Sequence, residues 1–214
     1  NVDVIGSNFT NTYANSNSHA KGGAMYITGA NAEVVDSKFD NAHSNLQGGA
    51  IYVNGTDTLI KGSEFYKCNV DSTGSEGGAI YIEGENTVIE GSRFADSTAK
   101  YRGGAIFING ENTLIEGSSF DDSSAVFRGG AIYIDGANAK VKDSNFTDSS
   151  ITGGKYGSEY PRGGAIYIKA DGAIVEGSIF INSTVSNIDD NDLNICGGGA
   201  IYIEGDYAKI LGSS

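Results

Sequence analysis

The chain has 214 residues, with 32 glycines, one proline and no tryptophan, and carries a formal charge of -13 with a pI near 4.4. That acidity argues against a nucleic-acid backbone or an anionic membrane surface as partner, since both need clustered Lys and Arg. No run of 18 apolar residues offers a membrane span, so insertion of this segment in a membrane is not expected.

The first residues, from Asn1 to Phe9, lack the basic and apolar regions of a signal peptide and read as a repeat joined partway through. The repeat shows itself at Gly22-Gly23-Ala24-Met25-Tyr26-Ile27. It returns at Gly48, Gly77, Gly103, Gly129, Gly163 and Gly198, at successive distances of 26, 29, 26, 26, 34 and 35 residues. Self-similarity at such a period is the mark of a solenoid. The chain stops at Ser214 inside another repeat, so it is expected to be a piece of a longer array, with residues 1–214 forming one domain.

The coil from Gly103 to Arg128 is the plainest. Gly103-Gly104 makes a corner, followed by Ala105-Ile106-Phe107-Ile108-Asn109. The slot after the second aliphatic holds Thr28, Asn54, Glu83, Asn109, Asp135, Lys169 or Glu204, so it must face water. Alternation then sends Ile106 and Ile108 inward, with Ala105 and Phe107 outward. The ladder Tyr26, Tyr52, Tyr81, Phe107, Tyr133, Tyr167, Tyr202 is therefore expected on the surface. A Gly-x-Asn turn follows, of residues that tolerate left-handed geometry. A second strand centres on Ile115, a second corner lies at Gly117, and Ser118 and Phe120 share the next inward face, with Phe in that slot in every coil. Three short strands and three corners per coil describe an all-β, right-handed parallel β-helix of about seven coils and about 26 residues per coil. Cys68 and Cys196, four coils or roughly 19 Å apart, are too distant for a disulfide and are expected to be free thiols.

All length changes fall just before Gly-Gly, near residues 71–76, 151–162 and 186–196. Loops on a rigid scaffold are where function usually sits. The first long loop is cationic and aromatic, with Lys155, Tyr156, Tyr160 and Arg162. The second is acidic: Asp189, Asp190, Asp192 and Asn194 offer hard oxygen ligands, for which calcium is the candidate cofactor, although the loop lacks the glycine and terminal glutamate of an EF-hand. The column Asp96, Asp122, Asp148 stacks carboxylates in three successive coils. Such pairs serve cation binding or glycoside cleavage, but Asn11, Asn41, Lys67 and Asn182 share the slot, which favours a solvated corner. The outward aromatic ladder reads either as a strip for sugar faces or another protein or as simple stacking within the sheet. Asn8, Asn54, Asn145 and Asn182 head N-glycosylation patterns. His19 and His43 have no partners at metal spacing.

The repeated Gly-Gly-Ala-Ile-Tyr-Ile followed by Ile-x-Gly-Ser-x-Phe resembles the repeats of adhesin-like surface proteins of methanogenic archaea. It resembles more loosely those of polymorphic outer-membrane proteins, from which it departs because the third residue after Phe is never Asn. The resemblance covers essentially the whole chain. It implies a right-handed β-helix at the cell surface or in the extracellular space, a non-enzymatic adhesin or stalk segment. The implied partners are a glycan or protein of another cell, or copies of itself. A carbohydrate-active β-helix enzyme and a filament subunit assembling end to end are the competing expectations.

Overall fold

In a computed structural model the chain winds into a solenoid of parallel strands. Residues 2–16, 18–153, 160–186 and 197–214 are described. The coil averages about 29 residues: a frame of 26, as from Gly103 to Gly129, is lengthened where the corner insertions enter. Each coil contributes to four sheets, not three. In the representative coil the strands are Leu114–Glu116, Ser119–Asp121 and Ser124–Ala125, followed one corner later by Ile132–Ile134. We refer to these as the first to fourth sheets. The first has eight strands and the other three have seven each. The missed one is the third, built of two-residue strands such as Ser124–Ala125. Such a short run has no alternation to read, which is why spacing alone merged it with the corner.

Register is kept slot for slot. Ile106, Phe107 and Ile108 lie on Ile132, Tyr133 and Ile134 of the next coil, and Phe94 lies on Phe120. Equivalent side chains therefore form columns. Ile106, Ile108, Ile115 and Phe120 are fully buried in one continuous inner core. The phenylalanines from Phe9 to Phe180 stack with centroids 4.7 to 4.9 Å apart and planes within 2° to 7°. That spacing is the inter-strand distance of a sheet.

The corners explain the polar part of the repeat. At the corner before Phe, the Ser92 N–H donates to Ser118 Oγ at 3.2 Å and the Ser118 N–H to Ser144 Oγ at 3.2 Å. Ser118 Oγ donates in turn to the Glu116 carbonyl. The serine ladder thus satisfies backbone donors that the bend removes from strand pairing. The slot after the outward residue that follows Phe is left-handed: φ is +53° at Asp96, +49° at Asp122 and +53° at Asp148. Asn and Asp recur there because they tolerate that geometry best among residues with a side chain.

The two corner glycines differ. Gly103 has φ +63°, whereas a Cβ on Gly104 would stand 1.9 Å from the Gly130 carbonyl oxygen. The first is demanded by dihedral angle and the second by close stacking. In the Gly-x-Asn turn it is Asn112 that is left-handed, at φ +56°. Gly110 is needed instead because its Cβ would meet the Gly84 carbonyl at 2.1 Å.

Two outward assignments are corrected. Ala105 precedes its strand, at a bend where Ala79 N–H and Ile80 N–H both donate to its carbonyl, and it belongs to the inner core. The aromatic ladder does point away from that core, but it is not on the surface. Tyr52, Tyr81, Phe107, Tyr133 and Tyr167 are buried as a second hydrophobic cluster, with Tyr202 packed against it and Tyr26 alone of the column 51% exposed. The reason is the stretch before Gly-Gly. Its residues Lys21, Gln47, Glu76, Arg102, Arg128, Arg162 and Gly197 pair in a parallel row of their own, and side chains of that row lie over the rings. The polar slot two residues after each ring still faces water at most coils, as at Asn109 and Lys169. Polarity there says nothing about the neighbour on the same side.

Among the described residues no helix is long and apolar enough to cross a membrane.

Candidate functional site

The roof over the aromatic ladder is a built structure. Arg102 lies 5.1 Å from the Tyr133 ring, Arg128 4.9 Å from Tyr167 and Arg162 4.6 Å from Tyr202, each reaching the ring one coil further on. Lys21 sits 4.1 Å above Tyr52 and donates to its hydroxyl at 2.7 Å, and that hydroxyl donates to Glu83. Cation over ring is attractive through the ring quadrupole. Glu76 brings a negative charge into this row. By the same one-coil step its slot falls at Phe107, the one ring of the ladder without a hydroxyl. Burial raises its carboxyl to about 7, against the opposing pull of Arg102, 3.6 Å away, and a hydrogen bond from Gln47. Burial also raises the tyrosine hydroxyls, Tyr133 to about 12, so they stay protonated at neutral pH and offer no nucleophile. A recognition strip along the ladder is thereby excluded: Tyr52, Tyr81, Phe107, Tyr133 and Tyr167 cannot meet a partner where they stand.

The other expected site residues separate. Tyr160 is half-buried, 5.9 Å from the Arg162 guanidinium, and Arg162 donates to Glu204 at 3.1 Å. Lys155 and Tyr156 of that loop lie outside the described residues, as do Asp189, Asp190, Asp192, Asn194 and Cys196. Cys68 is a buried free thiol whose pKa burial pushes up to about 12. Among the described residues no three His, Cys, Asp or Glu side chains are grouped to hold a metal ion. Asp96, Asp122 and Asp148 keep their repeat slots at left-handed corners. Asn8, Asn54, Asn145 and Asn182 are all exposed, and Thr10 Oγ1 donates to Asn8 Oδ1 at 3.3 Å.

What spacing did not single out is the outer face of the second sheet. Each of its strands turns a phenylalanine inward and the two flanking residues outward. Across four coils these pairs are Asn8 and Thr10, Lys38 and Asp40, Glu64 and Tyr66, Arg93 and Ala95. All of them but Ala95, which is buried, line a shallow groove of about 290 Å³. Its charges are paired between coils: Lys38 Nζ to Glu64 at 3.0 Å, and Arg93 to Asp121 at 2.8 Å. Tyr66 is 40% exposed. Among the described residues the other tyrosines this exposed, Tyr13, Tyr26 and Tyr207, lie in the first and last coils.

The coil holding Tyr66 departs from the repeat three times in succession. Tyr66 stands in a column otherwise made of Thr10, Asp40, Ala95, Asp121, Thr147 and Ile181. Lys67 stands at φ +50° in a column otherwise Asn or Asp. Cys68 follows. A lysine in that conformation costs about 1 kcal/mol relative to asparagine or glycine. Its Nζ returns over the Tyr66 ring at 4.8 Å. The signal was present in the sequence as a column outlier, but it carries meaning only once the backbone there is known to be left-handed.

Residues 22–212 match the family described as the right-handed β-helix region. The chain belongs to that family. A comparison with curated proteins finds no match. Right-handed β-helices include enzymes and non-enzymes, so membership sets the architecture and leaves the activity to be argued from the site.

Proposed function

We propose that this right-handed β-helix is a non-enzymatic segment of an extracellular or cell-surface adhesin, a rigid scaffold that presents a recognition surface. The observation that carries the reading is where the reactive side chains are committed. Glu64, Glu90, Glu116, Asp121, Asp135 and Glu204 are each engaged by a lysine or arginine, most of them one coil away. Their work is holding coil to coil. The repeat likeness to adhesin-like surface proteins points the same way, and the exposed Asn8, Asn54, Asn145 and Asn182 suit a secreted glycoprotein.

The deciding experiment incubates the chain with a polysaccharide panel, with and without calcium. Reducing-end release is measured alongside retention of cells by chain-coated beads. Retention without cleavage is expected. Reproducible cleavage, abolished by Asp122→Asn with Asp148→Asn, would replace the adhesin reading with that of a carbohydrate-active enzyme.

A further inference from the structure

Resting on the reading of this chain as a recognition scaffold, we propose that Tyr66 and Lys67 form a binding subsite for an uncharged saccharide, with Lys38, Asp40, Glu64 and Arg93 as its polar walls. Three observations converge on it. First, Tyr66 exposes its ring on a lateral face, away from the end coils, where every other member of its column is non-aromatic. Its register partners, Asp40 and Ala95, have no ring to stack against it.

Second, Lys67 holds a left-handed conformation that thirteen Asn and Asp residues, and otherwise only the terminal-coil Tyr207, adopt among the described residues with side chains. An unfavourable backbone at a single coil, beside a solvent-facing aromatic, marks a position kept for its side chain rather than for the fold. Third, the groove opposes two cations, Lys38 and Arg93, to two carboxylates, Asp40 and Glu64. A balanced set of fixed donors and acceptors around one ring suits a ligand with an apolar C–H face and many hydroxyls. It does not select an anion, which would want the cations unpaired, nor a peptide side chain, which would want an apolar pocket. Running over four coils spaced about 4.8 Å apart, the groove accommodates a short stretch of a chain rather than one sugar.

The test uses the intact 214-residue chain and neutral hexasaccharides of the β-glucan, mannan, galactan and chitin types, immobilised and titrated by surface plasmon resonance. At least one is expected to bind, and Tyr66→Ala to weaken it tenfold or more, with Tyr207→Ala, at a more exposed ring in the last coil, leaving it unchanged. Lys67→Asn separates function from fold: it restores the residue type of its column, so the melting temperature should rise while affinity falls at least threefold. The proposal is overturned if no neutral hexasaccharide binds, or if binding survives Tyr66→Ala. Binding that survives would leave the scaffold reading standing with its surface elsewhere, whereas release of shortened oligosaccharides would sink that reading itself.

Discussion

Phe120 and Tyr133 belong to two aromatic stacks that share one strand spacing and lie on opposite sides of the coil wall. Phe120 is closed in by the four sheets around it. Tyr133 points outward and is buried all the same, because the stretch before the Gly-Gly corner runs back over it and lays Arg102 against its ring. The inner stack lies within the continuous apolar core, its planes within 7° of parallel. The outer stack has a wall below and a polar roof above, and where the roof thins at the first coil the geometry loosens: Tyr26 meets Tyr52 at 34°. The difference shows that in a solenoid an outward slot becomes core wherever the connecting segment doubles back. A roof of cations over rings can seal such a core without apolar residues.

The corner that joins roof to wall is the place to break both stacks at once. Gly104→Ala would set a methyl group 1.9 Å from the Gly130 carbonyl and 2.5 Å from the Ser124 carbonyl, atoms fixed in the ladder on two sides. A loss above about 4 kcal/mol or failure to fold is expected. Gly117→Ala is the control, left-handed at φ +58° but with open space around it, and should cost only about 1 kcal/mol. Urea denaturation of the two variants checks the pair, and equal losses would show that close stacking at Gly104 does not decide its identity.

Next in size is a direct test of whether the outer stack is core. Truncating a buried aromatic costs about 3–5 kcal/mol, so Phe120→Ala and Tyr133→Ala should each fall in that range. Tyr26→Ala, at the exposed end of the column, should cost less than about 1 kcal/mol. If Tyr133→Ala behaves like Tyr26→Ala in thermal denaturation, the roof does not exclude water and the outer stack is surface after all.

The roof also carries a pH dependence that the inner core lacks. Glu76 is held at about 7, above its ordinary 4.5, chiefly by burial. A carboxyl raised on folding binds its proton more tightly in the folded state. Its stabilising contribution is complete below about pH 4.5 and is lost as pH rises through 7. For a group this covered, the change across that window is on the order of 1–3 kcal/mol. Denaturation midpoints of the parent should therefore decline from pH 5 to pH 8 by more than those of Glu76→Gln. Identical slopes would remove Glu76 as the cause.

Most of the scaffold was legible because its columns repeat. Ile106, Ile115, Phe120 and Ser118 all lie where alternation put them, and the corner at Asp122 is a corner. The third sheet was hidden because Ser124–Ala125 is too short to show a period. The burial of the tyrosines was hidden because nothing local says that a basic residue before Gly-Gly, such as Arg102, will lie down on the ring of the next coil. For the candidate groove, Tyr66 and Lys67 were visible as letters, but the strain at Lys67 is a property of a backbone angle, and the pairing of Lys38 with Glu64 is a property of register.

The smallest effect is expected inside, at a slot that never held a large group. Cys68 occupies the column of Thr12, Ala42, Ser97, Ser123, Ser149 and Ser183, fully buried, its thiol donating weakly to the Phe39 and Tyr66 carbonyls at 3.6 and 3.7 Å. The slot fits Ala42 one coil earlier without exposing the core, so Cys68→Ala should cost about 1 kcal/mol or less. In the native protein the Cys68 thiol should resist a thiol-modifying reagent at pH 8, because burial keeps it protonated up to about 12. Rapid native-state labelling of Cys68, mapped by mass spectrometry, would mean that the inner column opens on its own. The contrast drawn between a sealed interior and a roofed exterior would then have to be reversed.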